Sequence, residues 1–156
     1  MTNEQHTTTA VSGSSREMTH EEIAALFARR AEAYEDLDAA ALAADYADEA
    51  TIESPVTGAH GKADAERNFK VVFDAFLDLK MKFGPPVIDG PRVAWHATAE
   101  GTNMGAFMGL PPSGRPFKLS TAFFHEVRDG KIVREQRIYD FTGLLVQIGV
   151  LKAKPV

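Results

Sequence analysis

Asp140 is the residue whose type and position best suit acid–base chemistry in this sequence. It stands where an alternating segment, residues 131–139, meets an apolar segment predicted to form a short helix over residues 141–148. A carboxylate in an apolar cavity has a raised pKa because burial disfavours its charged form, and it is then a better general base near neutral pH. Once protonated, the same carboxyl could donate to a forming alkoxide and so serve both steps of an intramolecular aldol closure. The alternative is structural, since an aspartate just before a helix is an ordinary N-cap.

A predicted hairpin decides which way Asp140 faces. The dipeptide Asp129-Gly130 is a strong two-residue turn signal, and it sets a pairing that begins with Arg128 opposite Lys131. Because side chains alternate along a strand, one face of this hairpin then carries Leu119, Thr121, Phe123, His125, Val127, Ile132, Arg134, Gln136, Ile138 and Asp140. The other face carries Lys118, Ser120, Phe124, Glu126, Glu135, Arg137 and Tyr139. The first face is the more apolar, so it is predicted to line the core or a pocket.

His125 is the second candidate for catalysis, because it shares that predicted face with Asp140. It could orient a substrate oxygen or share a proton with Asp140 through a water molecule, and the alternative is a histidine satisfied beside Arg134 and the sheet edge. The residues predicted to contact a substrate are Tyr34, Asn68, Trp95, Phe107, Met108, Gln136 and Ile138. Of these, Tyr34 could stabilise an enolate through its hydroxyl, or be a core tyrosine with a single hydrogen bond.

Composition excludes several classes of function. The chain has 156 residues and a net charge of −5 without a run of Lys or Arg, which disfavours a nucleic-acid partner. No apolar run approaches the roughly 20 residues that a membrane-spanning helix needs, and the N-terminus has no signal-peptide pattern. There is no cysteine, and the five histidines lack metal-binding spacing, so no metal site is predicted. We therefore expect a cytoplasmic protein.

The first part of the chain divides into a leader and a helical segment. Residues 1–17 are rich in Ser and Thr and lack periodicity, so we expect a disordered leader followed by a single domain over residues 18–156. Thr19 and Glu22 form a capping-box pattern at the start of a helix that runs to about Glu35.

Two further helices and several strands follow. Asp38 can cap a short Ala-rich helix, and residues 62–77 carry an apolar stripe typical of a longer one. A short strand ends at Pro55, and residues 56–61 are predicted to be a turn-rich loop. The loop over residues 103–114, rich in Gly, Pro and Met, suits a pocket wall or lid, or a plain connector. Helices followed by a run of antiparallel strands indicate an α+β fold, with three helices packed against a curved sheet that encloses an apolar pocket.

Three segments of the sequence resemble a known family. They read W-H-A-T-A-E-G-T-N-M-G-A-F-M-G-L-P-P-S-G, then D-G-K-I-V-R-E-Q-R-I-Y-D, then G-L-L-V-Q-I-G-V. They are similar to the SnoaL-like polyketide cyclases, within the superfamily of nuclear transport factor 2, steroid isomerase and limonene epoxide hydrolase. The resemblance implies a cone-shaped α+β barrel with three N-terminal helices in a strongly curved antiparallel sheet.

The family resemblance also implies a function. It implies a cofactor-independent acid/base enzyme for a small apolar, carbonyl-containing substrate, in which Asp140 matches the aspartate that moves protons. Ser54 stands where steroid isomerases have their base. Relatives are often dimers, which implies a homodimer formed through the outer face of the sheet. The alternatives are a binding or interaction protein of the same fold, or an epoxide hydrolase or isomerase with another catalytic set.

Overall fold

A computed structural model describes residues 15–154, and its first helix begins where the capping residues predict. Helix α1 is His20–Glu35. The Thr19 hydroxyl accepts a hydrogen bond from the backbone N–H of Glu22, and the Glu22 carboxylate accepts one from the backbone N–H of Thr19. This reciprocal pair satisfies two N–H groups that a helix start otherwise leaves free. Residues 1–14 of the predicted leader lie outside the described residues.

Three more helices follow in the part of the chain that the structure describes. Helix α2 (Ala39–Ala44) is capped by the Asp38 side chain, as predicted. Helix α3 (Lys62–Ala75) ends two residues before the predicted limit, and α4 (Phe141–Gln147) follows the last strand. Within residues 15–154, none of the helices is long and apolar enough to cross a membrane.

Seven strands form one curved sheet, which confirms the α+β class. In chain order they are β1 (Tyr46–Ser54), β2 (Gly58–Gly61), β3 (Lys80–Phe83), β4 (Val87–Asp89), β5 (Arg92–Thr102), β6 (Pro116–Arg128) and β7 (Lys131–Tyr139). Their order in the sheet is β2-β1-β7-β6-β5-β3, and β4 also pairs with β5.

Two features of the sheet differ from the prediction. Strand β1 pairs with β7 in parallel, so the sheet is mixed and not wholly antiparallel. A parallel pair needs a long connection, and here residues 55–130 lie between the two strands. The segment predicted to be a loop over residues 56–61 contains β2, which returns antiparallel to β1 with Ser54 opposite Gly58.

The core lies between the helices and the inner face of the sheet. On β5 one side of the strand is buried, at Val93, Trp95, Ala97 and Ala99. The ring of Trp95 stacks on Phe83 with 3.7 Å between centroids, and Phe27 of α1 meets Trp95 edge-on at 5.0 Å. The indole N–H of Trp95 donates to the carbonyl of Gly84 at 2.8 Å, so the one polar atom of this side chain is satisfied.

A one-residue bulge changes the register of the β6–β7 hairpin. Beside the predicted turn the pairing is direct, with Val127 opposite Ile132. The preceding residue of β6, Glu126, then lies opposite Arg134, so Val133 is an extra residue without a partner on β6. Such an insertion is a β-bulge.

The bulge exchanges the two faces of β7 beyond Val133. Directly opposed pairs are His125 with Glu135, Phe123 with Arg137, and Thr121 with Tyr139. Glu135, Arg137 and Tyr139 therefore face inward, whereas Arg134, Gln136, Ile138 and Asp140 do not. The face predicted for these seven residues is wrong, because side chains alternate with a period of two and one added residue inverts every later position.

Candidate functional site

A mostly apolar cavity of about 100 Å³ lies at the end of the sheet where β6 and β7 meet α3. A single water molecule needs roughly 10–15 Å³ on this scale, so the cavity has room for several waters or a small organic group. Its apolar lining includes Val72, Phe73, Phe76, Met81, Phe107, Phe117, Leu119 and Leu144. Its polar lining is Tyr34, Ser54, Thr57, Asn68, Thr121, Arg137 and Tyr139. Among the described residues, no carboxylate and no histidine lines this cavity.

Two phenols in the lining are neutral hydrogen-bond donors. Burial raises the pKa of Tyr34, with the charge of Arg137 opposing it. Burial also raises the pKa of Tyr139, again opposed by Arg137. Both hydroxyls therefore keep their protons at neutral pH and can donate to a ligand oxygen.

Arg137 is the cationic group of the cavity wall. Its Nε donates to Oε1 of Glu135, and Nη2 donates to the hydroxyl of Tyr46 at 3.3 Å. The guanidinium carbon lies 4.6 Å from the ring centroid of Phe69, a cation–π distance. Only 13% of the Arg137 side chain is exposed, and the Glu135 charge helps to hold its pKa well above the usual value against the effect of burial. Arg137 is thus a charge in a fixed position.

Glu135 holds this arrangement together from behind the cavity. Its side chain is fully buried, and Oε2 accepts hydrogen bonds from Tyr46 at 2.7 Å and from Nε2 of His125 at 2.9 Å. Burial alone would raise the pKa of Glu135, but Arg137, His125 and Arg30 together hold it well below 4.5. A carboxylate of such low pKa is a weak base, so Glu135 serves to position Arg137.

A second buried guanidinium, that of Arg30, balances the charge of a buried cluster. The cluster consists of Arg30, Asp45, Tyr46, His125, Glu135 and Arg137. Arg30 of α1 lies 3.5 Å from Oε2 of Glu135 and 3.2 Å from Oδ2 of Asp45, and it donates to the carbonyl of Leu42 at 3.0 Å. The negative charges of Glu135 and Asp45 contribute to raising the pKa of Arg30, although burial opposes them. Two cations and two carboxylates make the set formally neutral, which is how charged groups are tolerated in a core.

His125 lies in this cluster and not in the cavity wall. Burial lowers its pKa below 6.5, against the effect of Glu135. We assign the proton of the neutral ring to Nε2, because Glu135 is an acceptor only. Nδ1 is buried and has no hydrogen-bond partner among residues 15–154, and the ring packs against Phe27 and Phe123. This matches the structural alternative for His125 more closely than the catalytic one.

Asp140 lies outside the cavity and caps a helix. Its Oδ1 accepts a hydrogen bond from the backbone N–H of Gly143 at 2.7 Å, at the start of α4, and the residue is exposed. Asp140 is therefore the N-cap of α4, which was the structural alternative to a catalytic role. The acid/base role predicted for it stays a prediction that this position does not favour.

The predicted substrate-binding residues separate into three groups. Tyr34, Asn68 and Phe107 line the cavity, so contact with a substrate stays a prediction for them. Trp95 is buried in the core and does not line the cavity. Gln136, Ile138 and Met108 face away, with Ile138 half exposed on the outer side of the sheet and Met108 exposed in its loop.

Sequence reasoning missed Glu135, Arg137 and Tyr139 as inward residues. The hydrophobic pattern favours Ile138 inside, so it selects the register without a bulge. One signal did exist, because Arg30 falls within the apolar stripe of α1. A buried arginine requires a buried carboxylate, and Glu135 is the charged partner that the last strand supplies.

Within residues 15–154, no group of three or more His, Asp or Glu side chains is placed to hold a metal ion.

A seven-stranded curved sheet, helices against its inner face and an apolar cavity at one end define a cone-shaped α+β fold. The chain belongs to the SnoaL-like polyketide cyclase family, whose model matches residues 24–148. None of the curated proteins compared with the chain matches it.

Solved structures share this fold. IdmH from Streptomyces antibioticus, proposed to be a polyketide cyclase, is 29% identical, with a TM-score of 0.69 over 83% of this chain and 99% of that one. AclR from Streptomyces galilaeus, proposed to be a hydroxylase, is 24% identical, with a TM-score of 0.76 over 88% of this chain and 87% of that one. At that lower identity the likeness to AclR shows the fold alone.

Proposed function

We propose that the cavity binds a small apolar molecule carrying a carbonyl group and stabilises its enolate during an intramolecular aldol ring closure. The observation that carries this proposal is the Arg137 guanidinium, fixed by Glu135 at the wall of an apolar cavity. Membership of a cyclase family supports the reaction type. No cofactor is needed, because the reaction moves protons and forms a carbon–carbon bond without oxidation or reduction.

Arg137 has donors left for a ligand. A guanidinium carries five N–H groups, and the bonds to Glu135 and Tyr46 use two of them. Donors that are already oriented in a cavity of low dielectric stabilise a developing oxyanion without reorganising during the reaction. Tyr34 and Tyr139 line the same cavity and add neutral phenol donors.

The proposed reaction has two proton transfers around one bond-forming step. A base removes a proton from the carbon beside the carbonyl, and Arg137 stabilises the charge on the resulting enolate oxygen. The enolate carbon attacks a second carbonyl of the same molecule, and the alkoxide formed there takes the proton back. The apolar walls hold the substrate in a folded conformation, which reduces the entropic part of the barrier.

This proposal places the chemistry at Arg137 and leaves Asp140 as a helix cap. The side chain of Asp140 is exposed and already accepts the backbone N–H of Gly143. Comparing Asp140→Asn with Arg137→Lys in one assay separates the two assignments.

Binding of 4-nitrophenol tests the proposed oxyanion site, because its yellow phenolate mimics an enolate. The wild-type protein should bind the ionised form and lower the pKa of the bound phenol. Arg137→Lys should weaken phenolate binding at least roughly tenfold, because an ammonium on a flexible stem lacks the fork of donors. Arg134→Lys, on the outer side of the same strand, is the matched control and should bind like the wild type. Binding of only the neutral phenol by the wild type would refute the proposal.

A second assay separates an enzyme from a protein that only binds. The α-protons of 2-tetralone, an apolar ketone, exchange with D2O through the enolate, and proton NMR follows their loss. The wild-type protein should accelerate this exchange and Arg137→Lys should slow it. Tight binding of 4-nitrophenolate without any acceleration would favour the binding-only alternative.

A further inference from the structure

Three side chains form a hydrogen-bonded series that begins at the cavity and ends at a histidine. Ser54 ends β1 and Thr57 lies in the turn before β2, and both residues line the cavity. The two hydroxyl oxygens are 2.9 Å apart, and Oγ1 of Thr57 is 3.3 Å from Nδ1 of His60. The backbone N–H of Thr57 also donates to Oγ of Ser54 at 3.2 Å, which fixes the turn.

We propose that His60 exchanges protons with the cavity through the hydroxyls of Thr57 and Ser54, and so acts as the terminal proton acceptor and donor for the ligand bound there. This inference rests on the proposed function, because it supplies the base that enolate formation requires. Ser54 and Thr57 would relay the proton, and His60 would hold it without touching the substrate.

The proton count balances over one turnover. As the substrate carbon loses its proton to Oγ of Ser54, the Ser54 hydroxyl proton moves to Thr57 and that of Thr57 moves to Nδ1 of His60. The products of this step are an enolate, two intact hydroxyls and an imidazolium. After ring closure the same movements run in reverse, the alkoxide becomes a hydroxyl, and His60 is neutral again.

The surroundings of His60 suit this task. Burial lowers its pKa below 6.5, a hydrogen bond with the backbone of Gly58 opposes this, and the charge of Arg137 lowers it further. Asp64 from α3 and Glu135 from β7 are the acidic groups that raise it. His60 is therefore neutral at physiological pH and able to accept a proton. The residue is only partly buried, so solvent can re-equilibrate its proton.

The inference predicts a loss of proton transfer without a loss of oxyanion binding. In the exchange assay with 2-tetralone, His60→Gln should lower the rate about hundredfold, within the range for general acid–base catalysis. Binding of 4-nitrophenolate should stay within about twofold of the wild type, because Arg137 is untouched. The wild-type rate should decline as pH falls through the pKa of His60, below 6.5, and the variant should lack this decline. His96→Gln, at an exposed histidine of β5, is the matched control and should change neither measurement.

A pair of variants at Thr57 separates the relay from a structural role of His60. Thr57→Val keeps the shape and removes the hydroxyl, so it should lower the rate as His60→Gln does. Thr57→Ser keeps a hydroxyl and should retain most of the wild-type exchange rate. Unchanged exchange in both His60→Gln and Thr57→Val would overturn the relay and leave the oxyanion site intact. Absence of exchange in the wild type would overturn the relay together with the enzymatic function.

Discussion

Nε2 of His125 lies 2.9 Å from Oε2 of Glu135, and the two residues are directly opposed across β6 and β7. This pairing exists because Val133 is an extra residue in the hairpin. If Val133 instead paired with Glu126, Glu135 would face outward and the guanidinium of Arg30 would lose one of its two buried partners. One inserted residue thus assembles the charged cluster behind the cavity.

Glu135→Gln tests how much this cluster contributes to stability. The change keeps the shape but leaves Arg30 and Arg137 as buried cations without their shared anion. Removing one partner of a buried charge pair costs about 3–5 kcal/mol, so the free energy of unfolding should fall by that order. Urea denaturation followed by circular dichroism measures it. The control is Glu49→Gln in the exposed pair with Arg128, and an equal loss in both variants would contradict the argument.

Stability should depend on pH through His125. Its folded pKa is depressed below 6.5, so the unfolded chain binds a proton more readily as pH falls below 6.5. The free energy of unfolding should therefore be flat above that pH and decrease below it. Glu135 has its effect in a separate window, below 4.5. Urea denaturation from about pH 8 to about pH 5.5 in a His60→Gln background isolates His125. Adding His125→Gln should then abolish the decline, and persistence of the decline would assign it elsewhere.

Asp140 should behave as a cap in variants. Asp140→Asn retains a side-chain oxygen for the backbone of Gly143 and should change stability by only a few tenths of a kcal/mol, whereas Asp140→Ala should cost about 1 kcal/mol. Exchange of 2-tetralone should be unaffected by Asp140→Asn. A large loss of exchange without loss of stability would restore Asp140 as the general acid/base.

Deleting Val133 should leave the pairing of the hairpin unchanged. The deletion removes the bulge, but Arg134 still lies opposite Glu126 and Glu135 opposite His125, so the same side chains of β7 should face inward. Val133→Ala keeps the bulge and should also retain the fold. The two-dimensional NMR spectrum compares both variants with the wild type, and loss of signal dispersion in the deletion variant alone would show that the bulge itself is required.

A dimer through the outer sheet face is expected to depend on Phe124. Phe124 is 47% exposed and Ile138 is 50% exposed on neighbouring strands of that face. Phe124→Glu should convert the dimer to a monomer in sedimentation analysis, because a charge would be buried in the interface. Val71→Glu, at an exposed apolar residue of α3, is the matched control. A monomeric wild-type protein would exclude this interface.

Local signals in the sequence predicted most of the fold. Caps at Thr19 and Asp38 located two helix starts, and Asp129-Gly130 located the hairpin, because each acts through atoms a few residues away. Tyr34, Asn68 and Phe107 line the cavity, and contact with a substrate stays a prediction for them.

The register of β7 was predicted wrongly because residues far away in the sequence determine it. Direct pairing after the turn would bury Ile138, and a hydrophobic pattern predicts that apolar side chains are buried. The real register buries Glu135 and Arg137 because Arg30 and Tyr46, from other elements, complete their hydrogen bonds. These partners belong to other elements, so the sequence of the strand alone does not reveal them. The parallel pairing of β1 with β7 was missed for the same reason.

Glu135, the anionic partner of Arg137, lies behind it in the core and not in the cavity wall. This position affects how ligand binding should depend on pH. The pKa of Arg137 lies well above the usual value for arginine, and that of Glu135 well below the usual value for glutamate. Between the lowered pKa of His60 and the raised pKa values of Tyr34 and Tyr139, the cavity wall and the groups beside it carry a constant charge. The affinity for an acidic ligand should therefore follow the ionisation of the ligand itself. A binding curve measured against pH would then report the acidity of an unknown ligand, and so help to identify its chemical class.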